Sequence, residues 1–151
     1  GAEVTVVGRS ESKKEDAVKL GAQHYLVSTN DDEMKESQSA FDVIIDTVPV
    51  KHDLSIYTPL LDIDGALIIV GQVGPVEELN TVPLLMGRRQ VAGSLIGGIA
   101  ETQQMLDFCG ENNVLPECEM INIDEINTAY ERMENSDVRY RFVIDMASLD
   151  S

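Results

Sequence analysis

Residues 41–48 read Phe41-Asp42-Val43-Ile44-Ile45-Asp46-Thr47-Val48, and residues 66–71 read Ala66-Leu67-Ile68-Ile69-Val70-Gly71. The centre of each run is apolar at every position, the pattern of a strand covered on both faces. Between them, Asp53 to Leu61 places Leu54, Tyr57, Leu60 and Leu61 on one side of a helix that Pro59 keeps short or kinked. Asp64-Gly65 supplies a turn before the second run. An apolar strand, a helical segment and a second apolar strand form the repeating unit of a parallel sheet.

The same alternation continues in both directions. Toward the N-terminus, Glu3-Val4-Thr5-Val6-Val7-Gly8 reads as a strand rich in β-branched residues. Ser12-Lys13-Lys14-Glu15 has the spacing of a capping box and predicts a helix running to about Leu20, where Gly21 stops it. His24 to Val27 is a short strand, and Asp31 to Ser37 is an acidic surface helix. Toward the C-terminus, Pro83 opens a short helix ending at Gly87, and Val91 to Ile96 is a strand. Glu101 to Asn112 reads as a helix with Met105, Leu106 and Cys109 facing inward. Glu119 to Ile123 is a strand, Glu125 to Met133 a helix and Tyr140 to Asp145 a closing strand. The predicted fold is α/β, a doubly wound parallel sheet with right-handed crossovers.

The chain has 151 residues, of which 43% are hydrophobic, enough for one compact domain with a core. No apolar run approaches the roughly 20 residues of a membrane helix, and the opening residues carry no secretory pattern. Eleven Lys and Arg against 27 Asp and Glu give a net charge of −16, which repels nucleic acid and anionic membranes. The cations are unevenly spread. Arg9, Lys13, Lys14 and Lys19 fall within the first twenty positions and point to a small anionic ligand. Cys109 and Cys118 lack zinc-ligand spacing and fit the reduced thiols of a cytoplasmic protein. His24 and His52 are isolated, and each reads as structural or exposed; no metal site is expected from this chain.

Open parallel sheets bind ligands beyond the carboxyl ends of their strands. Those positions are Gly8 to Lys13, Thr47 to Val50, Gly71 to Val73 and Ser94 to Gly98. A glycine there permits close backbone approach, but on these residues alone each reads first as a plain turn. In dinucleotide-binding folds an acidic residue after the second strand holds the ribose 2′-hydroxyl of NAD, whereas a 2′-phosphate requires cations. After Gly8 come Arg9-Ser10-Glu11-Ser12-Lys13-Lys14, with the acidic slot empty and a helix start, which favours anions, beside it. Glu11 would have to point away. Two charge-assisted hydrogen bonds at roughly 1.5–3 kcal/mol each would set a preference of about 100-fold or more. A solvated helix start is the alternative on these residues alone.

Several stretches in one register resemble the cofactor-binding half of the zinc-dependent medium-chain alcohol dehydrogenases, in particular the cinnamyl alcohol dehydrogenase and NADPH-dependent aldehyde reductase group. They are Ser12-Lys13-Lys14-Glu15-Asp16-Ala17 with Leu20-Gly21-Ala22, and Ile44-Ile45-Asp46-Thr47-Val48-Pro49-Val50. Leu84-Leu85-Met86-Gly87-Arg88-Arg89, Ala92-Gly93-Ser94-Leu95-Ile96-Gly97-Gly98 and Glu101-Thr102-Gln103 with Met105-Leu106-Asp107-Phe108-Cys109 follow. The tail Asp137-Val138-Arg139-Tyr140-Arg141-Phe142-Val143-Ile144-Asp145 completes the set.

The resemblance implies a Rossmann-type sheet lacking its first strand and Gly-rich turn. Residues 1–119 would form a partial NADP-binding domain, and 120–151 a return segment toward a catalytic domain outside this chain. It implies NADP(H) bound by Arg9, Ser10 and Lys13 at the 2′-phosphate, with Thr47 along the cofactor. Gly71 and Val73 would lie at the bend near the nicotinamide ribose, and Ser94, Leu95 and Ile96 at the carboxamide. Arg9 departs from the Ser of the plant enzymes and adds positive charge. Zinc is implied for an intact enzyme, but its ligands, and every catalytic residue, lie outside these 151 residues, which therefore read as a fragment expected to be inactive alone. The implied activity is reduction of cinnamaldehyde-like or broad-range aldehydes to primary alcohols. A homodimer paired near Val91 to Ile96 is implied too, and an exposed apolar strand face is expected where the sheet is incomplete. The competing readings are a stand-alone, non-catalytic NADPH-binding module, and a flavodoxin-like signalling domain with Asp46 as phosphoacceptor.

Overall fold

The computed structural model describes residues 1–71, 74–75, 79–135 and 137–150. They form two compact units, Gly1–Ile96 and Gly97–Ser151. In the first, strand β1 (Thr5–Gly8) leads through a 3-10 turn (Glu11–Lys13) into helix α1 (Lys14–Lys19) and strand β2 (His24–Val27). Helix α2 (Asp31–Glu36) connects to strand β3 (Phe41–Asp46). Two 3-10 turns (Leu54–Ile56 and Thr58–Leu60) precede strand β4 (Leu61–Ile69), and helix α3 (Val82–Gly87) leads to strand β5 (Gln90–Gly93).

All pairing is parallel, as the apolar runs predict, but the unit's strands fall into two sheets, β1-β2 and β3-β4-β5. In the Rossmann strand order 3-2-1-4-5-6 these occupy places 2 and 3, and places 4, 5 and 6. No described strand holds place 1. A cavity of about 960 Å³ occupies that region, lined by Thr5 of β1, Tyr25 and Leu26 of β2, and Phe41 and Val43 of β3. This corrects the reading of residues 41–48 as a strand covered on both faces. Val43 is 55% exposed and Ile45 63%, whereas Ile44, on the opposite face, packs against the core. That core is Leu54, Leu61 and Leu67, flanked by Ile44, Ile69, Leu79 and Val91. It covers one face of β3-β4-β5 only, and the other face shows the apolar exposure anticipated for an incomplete sheet.

Local departures have local causes. The capping box does not form: α1 begins at Lys14, after a 3-10 turn whose N-cap Ser10 makes no side-chain cap bond. Ser12 instead shares a hydrogen bond with Ser10, Oγ to Oγ at 3.0 Å. Gly21 ends the first helical segment as predicted, at φ 102°. The helix foreseen at 53–61 becomes the two 3-10 turns, because Pro59 cannot donate to a continuous α-helix. Asp64-Gly65 is a bulge inside β4 rather than a turn before it. Phe41 pairs with Leu61 but Val43 with Ala66, and Asp64 takes φ 64° within the extra residues. Arg88, itself left-handed at φ 51°, closes the bulge with a bidentate pair to Asp64, and this hydrogen bond holds the Asp64 carboxyl below its ordinary range.

The second unit contains helix α4 (Ile99–Glu111), strand β6 (Glu119–Ile121), helix α5 (Ile126–Glu134) and strand β7 (Phe142–Ile144), with β6 and β7 paired in parallel. Met105 and Leu106 of α4, expected to face inward, are 50% and 55% exposed. Cys109, the third residue expected inward, is half-buried, and no residue of α4 is fully buried. Arg132 organises the unit. Its Nη2 lies 2.8 Å from Glu119 Oε2, its Nε lies 3.0 Å from Asp137 Oδ2, and its guanidinium stacks on Phe142 at 4.8 Å.

The Arg139 backbone N–H, and then Arg132, lower the pKa of Glu119 below the ordinary carboxylate value. A depressed carboxyl stabilises the fold above its unfolded pKa and loses that contribution as the pH falls through the folded value. Amide protection across β6–β7, corrected for intrinsic exchange, is therefore expected to hold from about pH 7 to about pH 5 and to fall on acidification from about pH 5 to about pH 2, because the folded-state value lies below the ordinary carboxylate range near 4. Glu119→Gln should flatten that dependence.

Candidate functional site

The loop after β1 is held by its backbone. Tyr25 Oη of β2 donates to the Ser10 carbonyl at 2.8 Å, and Thr29 Oγ1 donates to the Arg9 carbonyl at 3.0 Å. The aromatic ring passes directly over Gly8, where a Cβ would lie 1.9 Å from Tyr25 Oη. With the carbonyls anchored inward, the side chains of Arg9, Ser10 and Lys13 stand exposed just past the strand. Glu11, the acid that had to point away, is taken up by Lys14 at 3.1 Å, and Lys19 lies 3.9 Å from Asp16. Arg9 and Lys13 have no ion-pair partner among the described residues. A protein of net charge −16 thus presents two exposed cations without an ion-pair partner among the described residues in the segment that follows a parallel strand's carboxyl end.

The second cluster lies at the carboxyl edge of β3-β4-β5. Asp46, the last residue of β3, is buried, and its carbonyl accepts from both Val70 N at 2.9 Å and Gly71 N at 3.0 Å. Those bonds draw Gly71 against the residues after β3. A Cβ at position 71 would lie 2.2 Å from Thr47 C and 2.4 Å from Thr47 O, so only glycine fits. On the far side, Ser94 N donates to the Ile69 carbonyl at 3.0 Å, seating Ser94 beside the end of β4. Strand β5 ends at Gly93, short of the predicted Ile96, and Leu95 and Ile96 follow it at 77% and 86% exposure.

The structure therefore brings Thr47, Gly71 and Ser94 to one sheet edge, and Arg9, Ser10 and Lys13 to the end of β1. Val73 lies outside the described residues. The sequence reading missed a contact here. His52 turns back onto Asp46, Nε2 to Oδ2 at 3.1 Å. An acid at a strand end, a proline and a histidine six positions on is its only sequence signal. Asp46 also behaves as a strand-end hydrogen bonder, its Oδ1 accepting from Val48 N at 3.0 Å. Among the described residues no three His, Cys, Asp or Glu side chains form a metal-binding group, and no helix is long and apolar enough to cross a membrane.

Parallel strands in Rossmann order, with glycine, hydroxyl and cationic residues past their carboxyl ends, define a dinucleotide-binding domain. The profile of the zinc-binding dehydrogenase family matches residues 1–111, and the chain belongs to that family. It is 50% identical over 151 residues to "NADP-dependent alcohol dehydrogenase C 1" of Mycolicibacterium smegmatis, covering 100% of this chain and 43% of that protein. It is 49% identical over 148 residues to "Probable cinnamyl alcohol dehydrogenase" of Pinus taeda, covering 97% and 42%. Among solved structures, a cinnamyl alcohol dehydrogenase from Sorghum bicolor superposes with a TM-score of 0.87 at 42% identity, over 95% of this chain and 41% of that one. The cinnamyl alcohol dehydrogenase of Helicobacter pylori complexed with NADP(H) does so with a TM-score of 0.80 at 40% identity, over 97% and 42%. The chain spans about two-fifths of the relatives it matches. Membership of this family sets aside the flavodoxin-like signalling reading.

Proposed function

We propose that this chain is the NADP(H)-binding part of a zinc-dependent alcohol dehydrogenase that reduces cinnamaldehyde-like or broad-range aldehydes to primary alcohols. The observation that carries the cofactor choice is the pair of unneutralised cations, Arg9 and Lys13, after a strand that ends without an acid. The names of the relatives agree with it, two of them specifying NADP. NADPH, when bound, supplies the hydride. The residues here grip and orient it: Arg9, Ser10 and Lys13 at the 2′-phosphate, Thr47 along the body of the cofactor, and Gly71 and Val73 near the nicotinamide ribose. The segment Ser94, Leu95 and Ile96 meets the carboxamide through its backbone. The described residues offer no zinc-binding group, so no zinc step is assigned to them, and none of them is assigned as catalytic.

Residues 1–119 are read as the cofactor domain and 120–151 as a segment returning to a catalytic domain. Alone, the 151 residues are expected to bind NADPH without turning over an aldehyde. Fluorescence titration with NADPH and NADH tests the reading. NADPH is expected to bind about 100-fold more tightly, the value of two charge-assisted contacts; equal affinities would overturn the 2′-phosphate assignment.

The free edge of β5 and the exposed Leu95 and Ile96 support pairing between two copies near Val91 to Ile96. Sedimentation of the full enzyme at micromolar concentration is expected to show a dimer, and a monomer would refute this.

A further inference from the structure

The turn after β3 closes on itself through the His52 ring. Its Nδ1 lies 2.8 Å from the Val50 carbonyl oxygen and its Nε2 lies 3.1 Å from Asp46 Oδ2, with the histidine and aspartate side chains 17% and 5% exposed. A carbonyl oxygen can only accept, so Nδ1 carries a hydrogen. A neutral ring then sets the bare lone pair of Nε2 against a carboxylate oxygen. The imidazolium instead donates from Nδ1 to the Val50 carbonyl and sets a positive charge, not a bare lone pair, against the carboxylate. The Nε2 approach is poorly aligned for a directed hydrogen bond, and neither Nε2 nor Oδ2 has another such partner among the described residues, so charge pairing is what the contact supplies. Around the pair, Tyr57 meets the ring edge-on at 6.1 Å, Asp53 Oδ1 is engaged by Ser55 N at 2.8 Å, and the cation Lys51 precedes the ring in sequence on an exposed stretch.

This arrangement sits under the cofactor edge. The same Asp46 accepts from Val48 N through its side chain, and from Val70 N and Gly71 N through its carbonyl. We propose that His52 is a positioning residue for that edge: as an imidazolium held between Asp46 and the Val50 carbonyl, it clamps the Thr47–His52 turn in the shape that seats Thr47 against Gly71. The cofactor role of the clamp rests on the NADP(H) reading above. Loss of the ring proton opposes a lone pair to a buried carboxylate and loosens the turn. Asp46→Asn removes that dependence. Its amide keeps an acceptor for Val48 N and offers a donor to Nε2 of a neutral ring.

The test compares the full chain with its Asp46→Asn and His52→Gln variants at about pH 6 and about pH 9, one on each side of neutrality. Amide exchange at Val48 and Gly71, corrected for intrinsic rates, reads the turn, and NADPH titration reads the cofactor edge. In the unsubstituted chain, protection at Val48 is expected to fall, and NADPH affinity to weaken relative to the variants by about tenfold, as the pH rises. Both variants should show a flat response, and His52→Gln serves alone if Asp46→Asn does not fold. Protection at Val48 that ignores pH in the unsubstituted chain, or that responds equally in the variants, overturns the clamp while leaving NADPH binding intact. A responsive turn in a chain that binds no NADPH overturns the positioning role together with the cofactor reading.

Discussion

An Arg9→Asp, Lys13→Asp double variant is expected to lose about 100-fold or more of NADPH affinity, and to bind NADH no worse than the unsubstituted chain. The magnitude follows from two charge-assisted hydrogen bonds at roughly 1.5–3 kcal/mol each. The sign on NADH follows from the empty acidic slot: an aspartate after the strand can accept from a ribose 2′-hydroxyl, which a cation cannot do. Folding should be little affected. Both side chains are exposed, neither has an ion-pair partner among the described residues, and the loop is held through the carbonyls of Arg9 and Ser10. Circular dichroism of the variant separates the two effects. Equal loss for both cofactors would place Arg9 and Lys13 on a group that NADH shares, such as the pyrophosphate, and would withdraw the 2′-phosphate assignment.

Gly71→Val is expected to act on folding and binding together. Inserting carbon into a packed core costs about 1–3 kcal/mol when side chains can yield. At position 71 the obstacles are the Thr47 carbonyl carbon at 2.2 Å, its oxygen at 2.4 Å and Val48 N at 2.7 Å, all backbone atoms. Relief requires β4 to draw away from the end of β3, breaking the two bonds to the Asp46 carbonyl. The cost therefore lies at or above the upper end of that range, and denaturant unfolding should show a lower midpoint at unchanged slope. Gly71→Ala meets the same atoms with its single added carbon and should show much of the effect. If Gly71→Val left both stability and NADPH affinity intact, the close approach would have no functional weight.

The parallel α/β class was legible in residues 41–48 and 66–71, because continuous apolar runs joined by a short helical segment have few other solutions. The division into two half-sheets was legible only through the family resemblance, since pairing partners are a property of the whole strand set. Cover was misjudged for the same reason. Val43 and Ile45 carry the composition of buried residues, and their exposure reflects what lies opposite them. The bulge at Asp64-Gly65 shows a different limit. The dipeptide correctly signalled left-handed backbone, but whether that conformation ends a strand or interrupts one depends on the Arg88 side chain, 24 residues on. At the candidate site, residue types at strand ends were readable from sequence. The release of Arg9 and Lys13 by the Glu11–Lys14 pair, and the return of His52 to Asp46, required the fold.

The space of about 960 Å³ beside β1 and β3 takes on the character of a caliper once a dinucleotide is considered. One jaw carries Arg9 and Lys13, proposed above for the 2′-phosphate, and the other carries the Thr47–Gly71 approach proposed for the nicotinamide side. The width of that space is the distance between β1 and β3, so any shift of one strand against the other would alter cofactor fit without touching a residue proposed to contact the cofactor.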